Sequence, residues 1–384
     1  MIKMINIVGA RPQIIKAAAI SRAIKNFFSD RITEVIVHTG QHYDSNMTTV
    51  FFNELLIPKE KINLKVGSGS HAVQTASMMI KIADVLMNEK PTCVLVYGDT
   101  NSTLAAALVA SKIPVPIIHV EAGLRNFKKK YPEEINRIVC DHLSTLLFVP
   151  TIHGCRNLTN EGFKISDWGR QSNFDQPSIF FCGDIMYDNS IFFLEQAKKK
   201  SIILERLGIK NQKFILATIH RPHNTDYVKN LSAIFSAFDF ISKKDDIKLI
   251  IPLHPRTLHV LHNSGNDIVQ NIIERNKYLK ITDSVSYLDM IRLEESAELI
   301  FTDSGGVQKE AYFYNKPVVL LMEETPWVEL VETGCAMIGG SDSEKIINAY
   351  YTQKNKRNIV FEKIYGDGHA AEFICKKIIE TFDV

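Results

Sequence analysis

The sequence alternates regularly between short apolar runs, rich in Val and Ile, and longer stretches of helical periodicity. This alternation strongly limits the folds that the chain can adopt. In the first half, the apolar runs predict strands at residues 5–8, 34–38, 93–97, 116–120 and 146–149. Helices are predicted between them at residues 13–28, 71–88, 102–111 and 134–145. Strands that are apolar on both faces and separated by helices are typical of a parallel sheet that is covered on both sides.

The second half of the chain repeats this alternation and predicts a second sheet. Its strands fall at residues 214–219, 248–251, 299–301 and 317–320, and its helices at 227–242, 305–314 and 343–351. A chain of 384 residues also exceeds what one hydrophobic core usually holds. We therefore predict an α/β protein with two Rossmann-like doubly wound domains, at residues 1–178 and 179–366. A final helix within 367–384 is expected to pack back on the first domain.

Composition and charge narrow the class of protein further. The formal net charge is only +2, so no strong electrostatic attraction to nucleic acid is expected. No apolar run approaches the roughly 18 residues that a membrane span needs, and the N-terminus lacks a signal-like apolar region. The six cysteines form no C-x-x-C pair and indicate reduced thiols. The expectation is a cytoplasmic protein with neither a nucleic-acid nor a membrane partner.

Charged side chains follow the predicted strands of the first domain, where a doubly wound sheet binds its ligands. Arg11 and Lys16 lie near the start of the first helix, a favourable place for an anion. Asp99 and Glu121 follow two later strands, and Glu133 stands at a helix start. Asp99 alone could merely cap the next helix, and a helix start alone would explain Glu133, whereas Glu121 is unusual at the end of an apolar strand. Together they predict an acid/base cluster, in which mutual repulsion and burial favour proton transfer near neutral pH.

In the second domain, the residues after the strands predict an anion site. Ser304-Gly305-Gly306 presents backbone N–H groups at a helix N-terminus, an arrangement that suits a diphosphate. Glu310, about two turns into that helix, is placed to accept hydrogen bonds from ribose hydroxyls. His220 and His223 have the spacing of a metal pair, but Pro222 between them favours a loop over one helix face, so no metal is predicted.

In this order, the motifs resemble the non-hydrolysing UDP-N-acetylglucosamine 2-epimerases. The resemblance runs from Gly9 to about Ala371. It is carried by residues 9–16, 39–42, 98–100, 119–125, 132–137, 220–221, 303–310 and 365–368. It implies the glycosyltransferase-B architecture, in which two Rossmann-like domains hold a UDP-sugar in the cleft between them.

The resemblance also implies a role for each matching position. The acid/base carboxylates correspond to Asp99, Glu121 and Glu133, and His220 counts as both catalytic and UDP-binding. The other substrate or UDP-binding positions are Arg11, Lys16, Arg137, Arg221, Tyr287, Ser304, Gly305, Gly306 and Glu310. The implied reaction removes the proton at carbon 2 and expels UDP, leaving a 2-acetamidoglucal, and the reverse addition gives the epimer. It requires no cofactor and no metal.

Departures from the common family pattern bear on the identity of the sugar. His223 and Lys309 replace glutamates, and two arginines of the common pattern are absent from residues 322–329. Residues 183–188 and Trp327-Val328-Glu329 are more similar to the branch that acts on UDP-2,3-diacetamido-2,3-dideoxy-glucuronate. UDP-N-acetylglucosamine, epimerised to UDP-N-acetylmannosamine for surface polysaccharides, is the first prediction, and the diacetamido uronate is the alternative.

A second site and an oligomeric state are also implied. Gln41, His42 and His254 match positions of a second site or of the cleft. Many bacterial relatives carry Arg-Gln-Thr in an allosteric site, whereas this chain has Val73-Gln74-Thr75. We therefore predict weak or absent activation by UDP-N-acetylglucosamine. A homodimer is the expected assembly.

Four other functions share parts of the pattern. A hydrolysing 2-epimerase would release free N-acetylmannosamine, but typically carries Arg-Ala-Asp or Arg-Ala-Glu where this chain has Arg11-Pro12-Gln13. A glycosyltransferase shares the architecture and needs an acceptor. A non-catalytic nucleotide-sugar-binding module has no use for three carboxylates. A nicotinamide-dependent dehydrogenase is disfavoured because the G-x-G-x-x-G spacing is missing.

Overall fold

Two compact units make up the computed structural model, which describes residues 1–41, 60–164, 173–253, 267–356 and 359–382. The first unit contains Met1–Asn189 and Lys363–Val384, and the second contains Ser190–Glu362. The division after Asn189 lies later than the predicted domain end at 178. The reason is that Ser178–Phe181 forms one more strand of the first sheet, paired with Leu146–Val149.

The first unit is built on a seven-stranded parallel sheet with the order β3-β2-β1-β4-β5-β6-β7. The strands are β1 (Ile2–Val8), β2 (Ile32–His38), β3 (Ile62–Asn63), β4 (Cys93–Tyr97), β5 (Ile117–Val120), β6 (Leu146–Val149) and β7 (Ser178–Phe181). The five strands predicted for this half are all present. The pattern missed β3 and β7, because both are short strands at the edges of the sheet, where few residues are buried on both faces.

The second unit carries a six-stranded parallel sheet with the order β10-β9-β8-β11-β12-β13. The strands are β8 (Phe214–Thr218), β9 (Lys248–Pro252), β10 (Leu279–Thr282), β11 (Leu299–Thr302), β12 (Val318–Leu320) and β13 (Ala336–Ile338). The four predicted strands are again present. The two missed strands, β10 and β13, are the edges of this sheet.

Helices connect the strands in both units. In chain order they are α1 (Arg11–Ala23), α2 (His71–Glu89), α3 (Asn101–Lys112), α4 (Pro132–Leu143), α5 (Ile152–Asn160), α6 (Ile185–Lys200), α7 (Ile203–Arg206), α8 (Pro222–Thr225), α9 (Val228–Asp245), α10 (Asp267–Arg275), α11 (Tyr287–Ser296), α12 (Gly305–Phe313), α13 (Val328–Glu332), α14 (Ser343–Asn355) and α15 (Ala370–Phe382). A π-helical turn at Ile24–Phe28 follows α1, where one helix over 13–28 was predicted. The last helix, α15, packs against α1 in the first unit.

Each sheet reverses its strand order once, and this reversal places the site. In the first unit the chain moves outward from β1 in both directions, so the turns after β1 and β4 flank the switch point. In the second unit the same relation holds for β8 and β11. Doubly wound sheets bind ligands at this position. The predicted fold class, two doubly wound α/β domains, is confirmed.

Each unit has its own apolar core. In the first unit, Ile5 of β1 stands opposite Val35 of β2 and Val94 of β4, and all three are buried beneath α2 and α3. In the second unit, Phe238 of α9 packs against Phe301 of β11 with ring centroids 5.0 Å apart. These cores hold rigid strand ends, on which side chains can be positioned accurately. Among the described residues, no helix combines the length and the apolar character that crossing a membrane requires.

Candidate active site

The turn after β1 is organised by Gln13, a residue to which the sequence alone gave no role. Gln13 is buried, and its Oε1 accepts the backbone N–H groups of Gly9 at 2.9 Å and Ala10 at 3.2 Å. Its Nε2 donates to the Tyr97 carbonyl at 3.0 Å and to Thr103 Oγ1 at 2.9 Å. The start of α1 is thereby fixed to the end of β4. Only the partners, far away in the sequence, reveal this role.

Lys16 and Glu121 form a largely buried ion pair beside this turn. Lys16 Nζ lies 2.8 Å from Glu121 Oε1, and the two side chains are 8% and 11% exposed. Glu121 directly follows β5 and has a φ of +72°, a backbone conformation that residues with a side chain rarely adopt. Strain of this kind persists where the surrounding structure imposes it, and it is concentrated at functional sites. Arg11, by contrast, is exposed at the first residue of α1.

Gly98 joins this ion pair to the second predicted carboxylate, Asp99. A Cβ on Gly98 would lie 3.2 Å from Glu121 Oε1 and 3.3 Å from Lys16 Nζ, and the φ of Gly98 is +61°. The next side chain, Asp99, binds Arg137 through Oδ2 and Nη2 at 2.5 Å. The structure therefore brings Asp99, Glu121, Lys16 and Arg137 together around one glycine at the switch point of the first sheet.

The start of α4 separates two adjacent glutamates. Glu133 is exposed on the first turn and makes no hydrogen bond or ion pair with the described residues. Glu134 is completely buried and binds Arg137 Nη1 at 2.9 Å. It also accepts backbone N–H groups of Asn126 and Phe127 at the end of the preceding loop. Glu134 thus positions Arg137, a role that the adjacent Glu-Glu pair did not disclose.

The electrostatics of this cluster differ from the predicted mutual repulsion. Asp99 faces the Arg137 guanidinium, and Glu121 faces the Lys16 ammonium. Each of these carboxylates therefore lies beside a cation and not beside another carboxylate.

Below this cluster, a chain of four buried or half-buried charged groups runs through the first unit. His119, wholly buried, places Nδ1 2.6 Å from Asp141 Oδ1, and Asp141 Oδ2 lies 2.7 Å from Arg125 Nη1. Arg125 also binds Glu161 through two hydrogen bonds of 2.6 and 2.7 Å. Burial alone would raise the pKa of Asp141, but the charges and hydrogen bonds of His119 and Arg125 outweigh it and lower the pKa. Asp141 is therefore ionised at neutral pH.

In the second unit, Asp303 holds the turn that carries His220. Asp303 follows β11, is completely buried, and accepts backbone N–H groups of His220 and Arg221 at 3.0 Å each. Asn224 Nδ2 donates to it at 2.9 Å, and His220 Nδ1 lies at 3.2 Å. Burial would raise the pKa of Asp303, but His220 and Asn224 lower it. The His220 ring is left about half exposed, at the switch point of the second sheet.

The N-terminus of α12 gathers the other predicted UDP contacts. Ser304 is the N-cap and accepts the Val307 N–H at 3.3 Å. A Cβ on Gly305 would lie 3.8 Å from Arg221 Nη2, and a Cβ on Gly306 would lie 3.9 Å from Glu310 Oε2. A guanidinium, free helix N–H groups and a carboxylate thus border one glycine turn. This combination can bind a phosphate and a hydroxyl-bearing group side by side.

Two further side chains near Glu310 are buried. Glu294 on α11 is completely buried, and neither of its carboxylate oxygens has a hydrogen-bond partner among the described residues. Burial and the neighbouring charge of Glu310 raise the pKa of Glu294 well above its ordinary value. Tyr287, predicted to bind substrate, lies at the start of α11, buried with its ring edge against Phe193 at 5.4 Å. Glu294 was not predicted, because it reads as an ordinary charged residue of an amphipathic helix.

The positions predicted for a second site are only partly described. Gln41 Oε1 accepts from Ser102 Oγ at 2.8 Å, and its carbonyl accepts from Gln74 at 3.3 Å. Gln41 therefore lies beside the start of α3, near the turn that follows β4. His42 and His254 lie outside the described residues.

Comparisons with known proteins agree with this geometry. The sequence model of the family described as UDP-N-acetylglucosamine 2-epimerase matches residues 26–379. A protein of Methanococcus maripaludis, named as a UDP-N-acetylglucosamine 2-epimerase homolog, is 45% identical over 99% of this chain and 99% of its own length. A UDP-2,3-diacetamido-2,3-dideoxy-D-glucuronate 2-epimerase of Pseudomonas aeruginosa is 42% identical over 97% of this chain and 99% of its own length.

A solved structure extends the agreement to the fold. The Methanocaldococcus jannaschii UDP-GlcNAc 2-epimerase, crystallised in complex with UDP-GlcNAc and UDP, aligns with a TM-score of 0.84 at 38% identity. The alignment covers 98% of this chain and 99% of that chain. The resemblance first noted from ordered short motifs is confirmed over nearly the full length. The chain belongs to the UDP-N-acetylglucosamine 2-epimerase family.

Proposed function

We propose that this protein is a non-hydrolysing epimerase that interconverts UDP-N-acetylglucosamine and UDP-N-acetylmannosamine. The observation that carries the proposal is the pairing of Glu121 with Lys16 and of Asp99 with Arg137 around Gly98. Ionised carboxylates held at the end of a sheet are suited to accept and return a proton. The protein would draw on its own side chains for this chemistry, without a resident cofactor or metal.

The first step of the proposed reaction is proton removal at carbon 2. That proton is weakly acidic, so its removal must accompany departure of the group at carbon 1. Asp99, Glu121 and Glu133 are the candidate bases and acids, of which Glu121 is held most rigidly, by its ion pair and its strained backbone. Glu133, exposed on α4, is the member that can reorient most freely when substrate binds.

The second step is departure of UDP, for which the second unit supplies the binding groups. We assign the diphosphate to the turn Ser304-Gly305-Gly306, where the N–H groups of Gly305 and Gly306 begin α12 and Arg221 lies beside Gly305. The Ser304 N–H donates to Thr302 Oγ1 at 2.9 Å. His220 is assigned to the same phosphate group. Fixed N–H dipoles and a guanidinium stabilise the charge that grows on the leaving diphosphate. Glu310 is assigned to the ribose hydroxyls, and Arg11 of the first unit to the phosphate side of the substrate. Protonation of carbon 2 of the 2-acetamidoglucal on the opposite face, together with return of UDP to carbon 1, completes the inversion.

The sugar is the finer part of the proposal. UDP-N-acetylglucosamine is favoured because the family description and the aligned M. jannaschii complex both name it. UDP-2,3-diacetamido-2,3-dideoxy-glucuronate is the second candidate, because the P. aeruginosa relative that acts on it is similar over nearly the whole chain. The basic run Lys128-Lys129-Lys130, exposed before Glu133, is a group that could meet a sugar carboxylate.

Proton NMR of each UDP-sugar, incubated with the enzyme in deuterated water, tests the proposal. The expected result is the UDP-linked epimer with deuterium at carbon 2, formed faster from UDP-N-acetylglucosamine. Release of free N-acetylmannosamine and UDP would replace the proposal with a hydrolysing epimerase. A faster reaction of the diacetamido uronate would reassign the substrate.

We further propose a homodimer in the cytoplasm. On α2, Val73, Ile80 and Met87 are 63%, 69% and 54% exposed and lie seven residues apart, the spacing of a helix–helix seam. Ile80→Asp should shift the mass measured by light scattering from dimer to monomer, whereas Lys81→Asp on an adjacent exposed position should not. An unchanged mass for Ile80→Asp would place the interface elsewhere. The six free cysteines, five of them buried, support a reducing compartment.

A further inference from the structure

His119 faces a hydrogen-bond acceptor at each ring nitrogen. Nδ1 lies 2.6 Å from Asp141 Oδ1, and Nε2 lies 2.8 Å from the carbonyl oxygen of Gly98. A backbone carbonyl cannot donate, so Nε2 must carry a proton. The side chain is completely buried, and water does not compete for either position.

Asp141 cannot supply the proton of the other bond. Besides His119, its carboxylate accepts the backbone N–H of Gly123 at 3.1 Å and faces Arg125 Nη1 at 2.7 Å. A carboxylate that receives two other donors, one of them a guanidinium, is ionised and acts as an acceptor only. Nδ1 of His119 must therefore also carry a proton, and the ring is then an imidazolium.

The charge balance of the buried chain leads to the same state. His119, Arg125, Asp141 and Glu161 are joined by ion pairs, and only Glu161 is appreciably exposed, at 25%. With a protonated ring, two positive charges offset two negative charges. With a neutral ring, an uncompensated negative charge would remain in the interior, where it is strongly unfavourable.

We propose that His119 is a permanent imidazolium that positions the Gly98-Asp99 turn for the proton transfer at carbon 2. This inference rests on the proposed function for its catalytic consequence, but not for the protonation state. A Cβ on Gly98 would lie 3.2 Å from Glu121 Oε1 and 3.3 Å from Lys16 Nζ, and the next residue carries the Asp99 carboxylate. A charged N–H bond to the Gly98 carbonyl therefore sets the place of both carboxylates at once. His119 is a positioning residue, since it is buried behind the turn.

The surroundings of the ring favour the charged state over the neutral range of pH. Burial alone would lower the pKa of His119, but Cys140 and Asp141 on α4 raise it well above its ordinary value. On the side of the Gly98 carbonyl, Lys16 and Glu121 form a mutually compensating ion pair. Because the folded-state pKa is raised, the ring loses its proton only as pH rises beyond the neutral range.

The protonation state is tested directly by nitrogen NMR of the full-length protein labelled with ¹⁵N-histidine. The chain has twelve histidines, and the signal of His119 is assigned by its loss in His119→Gln. At pH 8, we expect both ring nitrogens of His119 to carry protons and to show imidazolium shifts. A neutral ring, with one nitrogen unprotonated, would overturn the proposal. This measurement needs no substrate, so its result stays separate from failure of the proposed function.

The positioning role is tested by the kinetics of His119→Gln. Glutamine can still donate to the Gly98 carbonyl, but it carries no charge and cannot also reach Asp141. We expect kcat to fall about 10- to 100-fold, the usual effect of slightly misplaced catalytic groups, with KM and UDP affinity nearly unchanged. His142→Gln is the matched control, because His142 lies 3.6 Å from Glu161 and its side chain is half exposed. An unchanged kcat in folded His119→Gln would overturn the role.

Asp141→Asn provides a second variant in which the ring remains. Without the carboxylate, His119 should titrate within the neutral range, and kcat should fall as pH rises through that titration. A kcat with the same pH dependence as the wild type would contradict the proposal. Asp141→Asn also tests the proposal if His119→Gln does not fold.

Discussion

Carboxylates occupy two opposite electrostatic environments in this protein. In the first unit, Asp99 and Glu121 are each within ion-pair distance of a cation, Arg137 and Lys16. In the second unit, Glu294 is fully buried next to the charge of Glu310, and within the part of the chain that the structure describes neither of its oxygens has a hydrogen-bond partner. The neighbours of a carboxylate decide its electrostatic environment. Asp99 and Glu121 lie beside cations, whereas burial and the charge of Glu310 raise the pKa of Glu294 and favour its neutral acid form.

We expect the largest effect when Glu121, the carboxylate paired with Lys16, is neutralised. Glu121→Gln keeps the size of the side chain but removes the proton acceptor, so kcat should fall by about 10²- to 10⁴-fold, the range of general base catalysis. Steady-state kinetics with UDP-N-acetylglucosamine measures this. Glu205→Gln, in an exposed ion pair with Lys210 of the second unit, is the control and should stay within a few-fold of the wild type. A Glu121→Gln enzyme of nearly full activity would refute a catalytic role for this carboxylate.

Removing the cation instead of the carboxylate tests how much the buried ion pairs of the first unit stabilise the protein. Arg137→Met leaves Asp99 unpaired and the fully buried Glu134 without its guanidinium. Breaking a buried ion pair costs about 3–5 kcal/mol of unfolding free energy. Urea denaturation should show this loss. Arg206→Met, which removes an exposed pair with Asp289, should cost less than about 1 kcal/mol. Equal losses in the two variants would contradict the distinction between buried and surface pairs.

The second environment predicts a dependence on pH. Because the pKa of Glu294 is raised in the folded state, its stability contribution is fully present below the ordinary value of 4.5 and is lost as pH rises. Glu294→Gln should therefore gain stability relative to the wild type as pH rises above 4.5. Thermal unfolding at several pH values measures this. A difference that does not change with pH would mean that Glu294 is not a neutral buried acid.

Asp188 lies in an environment between the two, because it is partly buried and accepts two backbone N–H groups. Among these variants, its substitution should have the smallest effect. Burial raises its pKa to about 6, although the backbone N–H groups of Ala371 and Ala370 at the start of α15 act in the opposite direction. Its stabilising contribution is present below pH 3.8 and disappears by about pH 6. Asp188→Asn should remove this slope, about 3 kcal/mol in total at 1.4 kcal/mol per unit. Identical slopes in the two proteins would argue against a raised pKa.

The sequence predicted more of the fold than of the contacts within the site. Val and Ile runs marked the central strands, because those strands are buried on both faces, and the edge strands β3, β7, β10 and β13 lacked this signal. Asp99, Glu121 and Ser304 were found because they directly follow strands. Their roles at this site stay predictions until the variants are measured.

What the sequence could not supply is the long-range partner of each group. Gln13 bonds to Tyr97, 84 positions away, and His119 bonds to Asp141, 22 positions away. Glu134 could not be separated from Glu133 until the direction of α4 decided which one is buried. Glu294 looked like a solvent-exposed residue until α11 packed against α12. Local patterns carry no information on such packing.

Deuterium exchange at carbon 2 shows whether Glu121, the carboxylate paired with Lys16, moves the proton. Proton NMR in deuterated water would follow loss of the carbon 2 signal of UDP-N-acetylglucosamine with the wild type, Glu121→Gln and Glu294→Gln. We predict rapid exchange with the wild type and Glu294→Gln, and exchange slowed by at least about 100-fold with Glu121→Gln. Exchange that survives in Glu121→Gln and is lost in Glu294→Gln would contradict the proposal that Glu121 moves the proton.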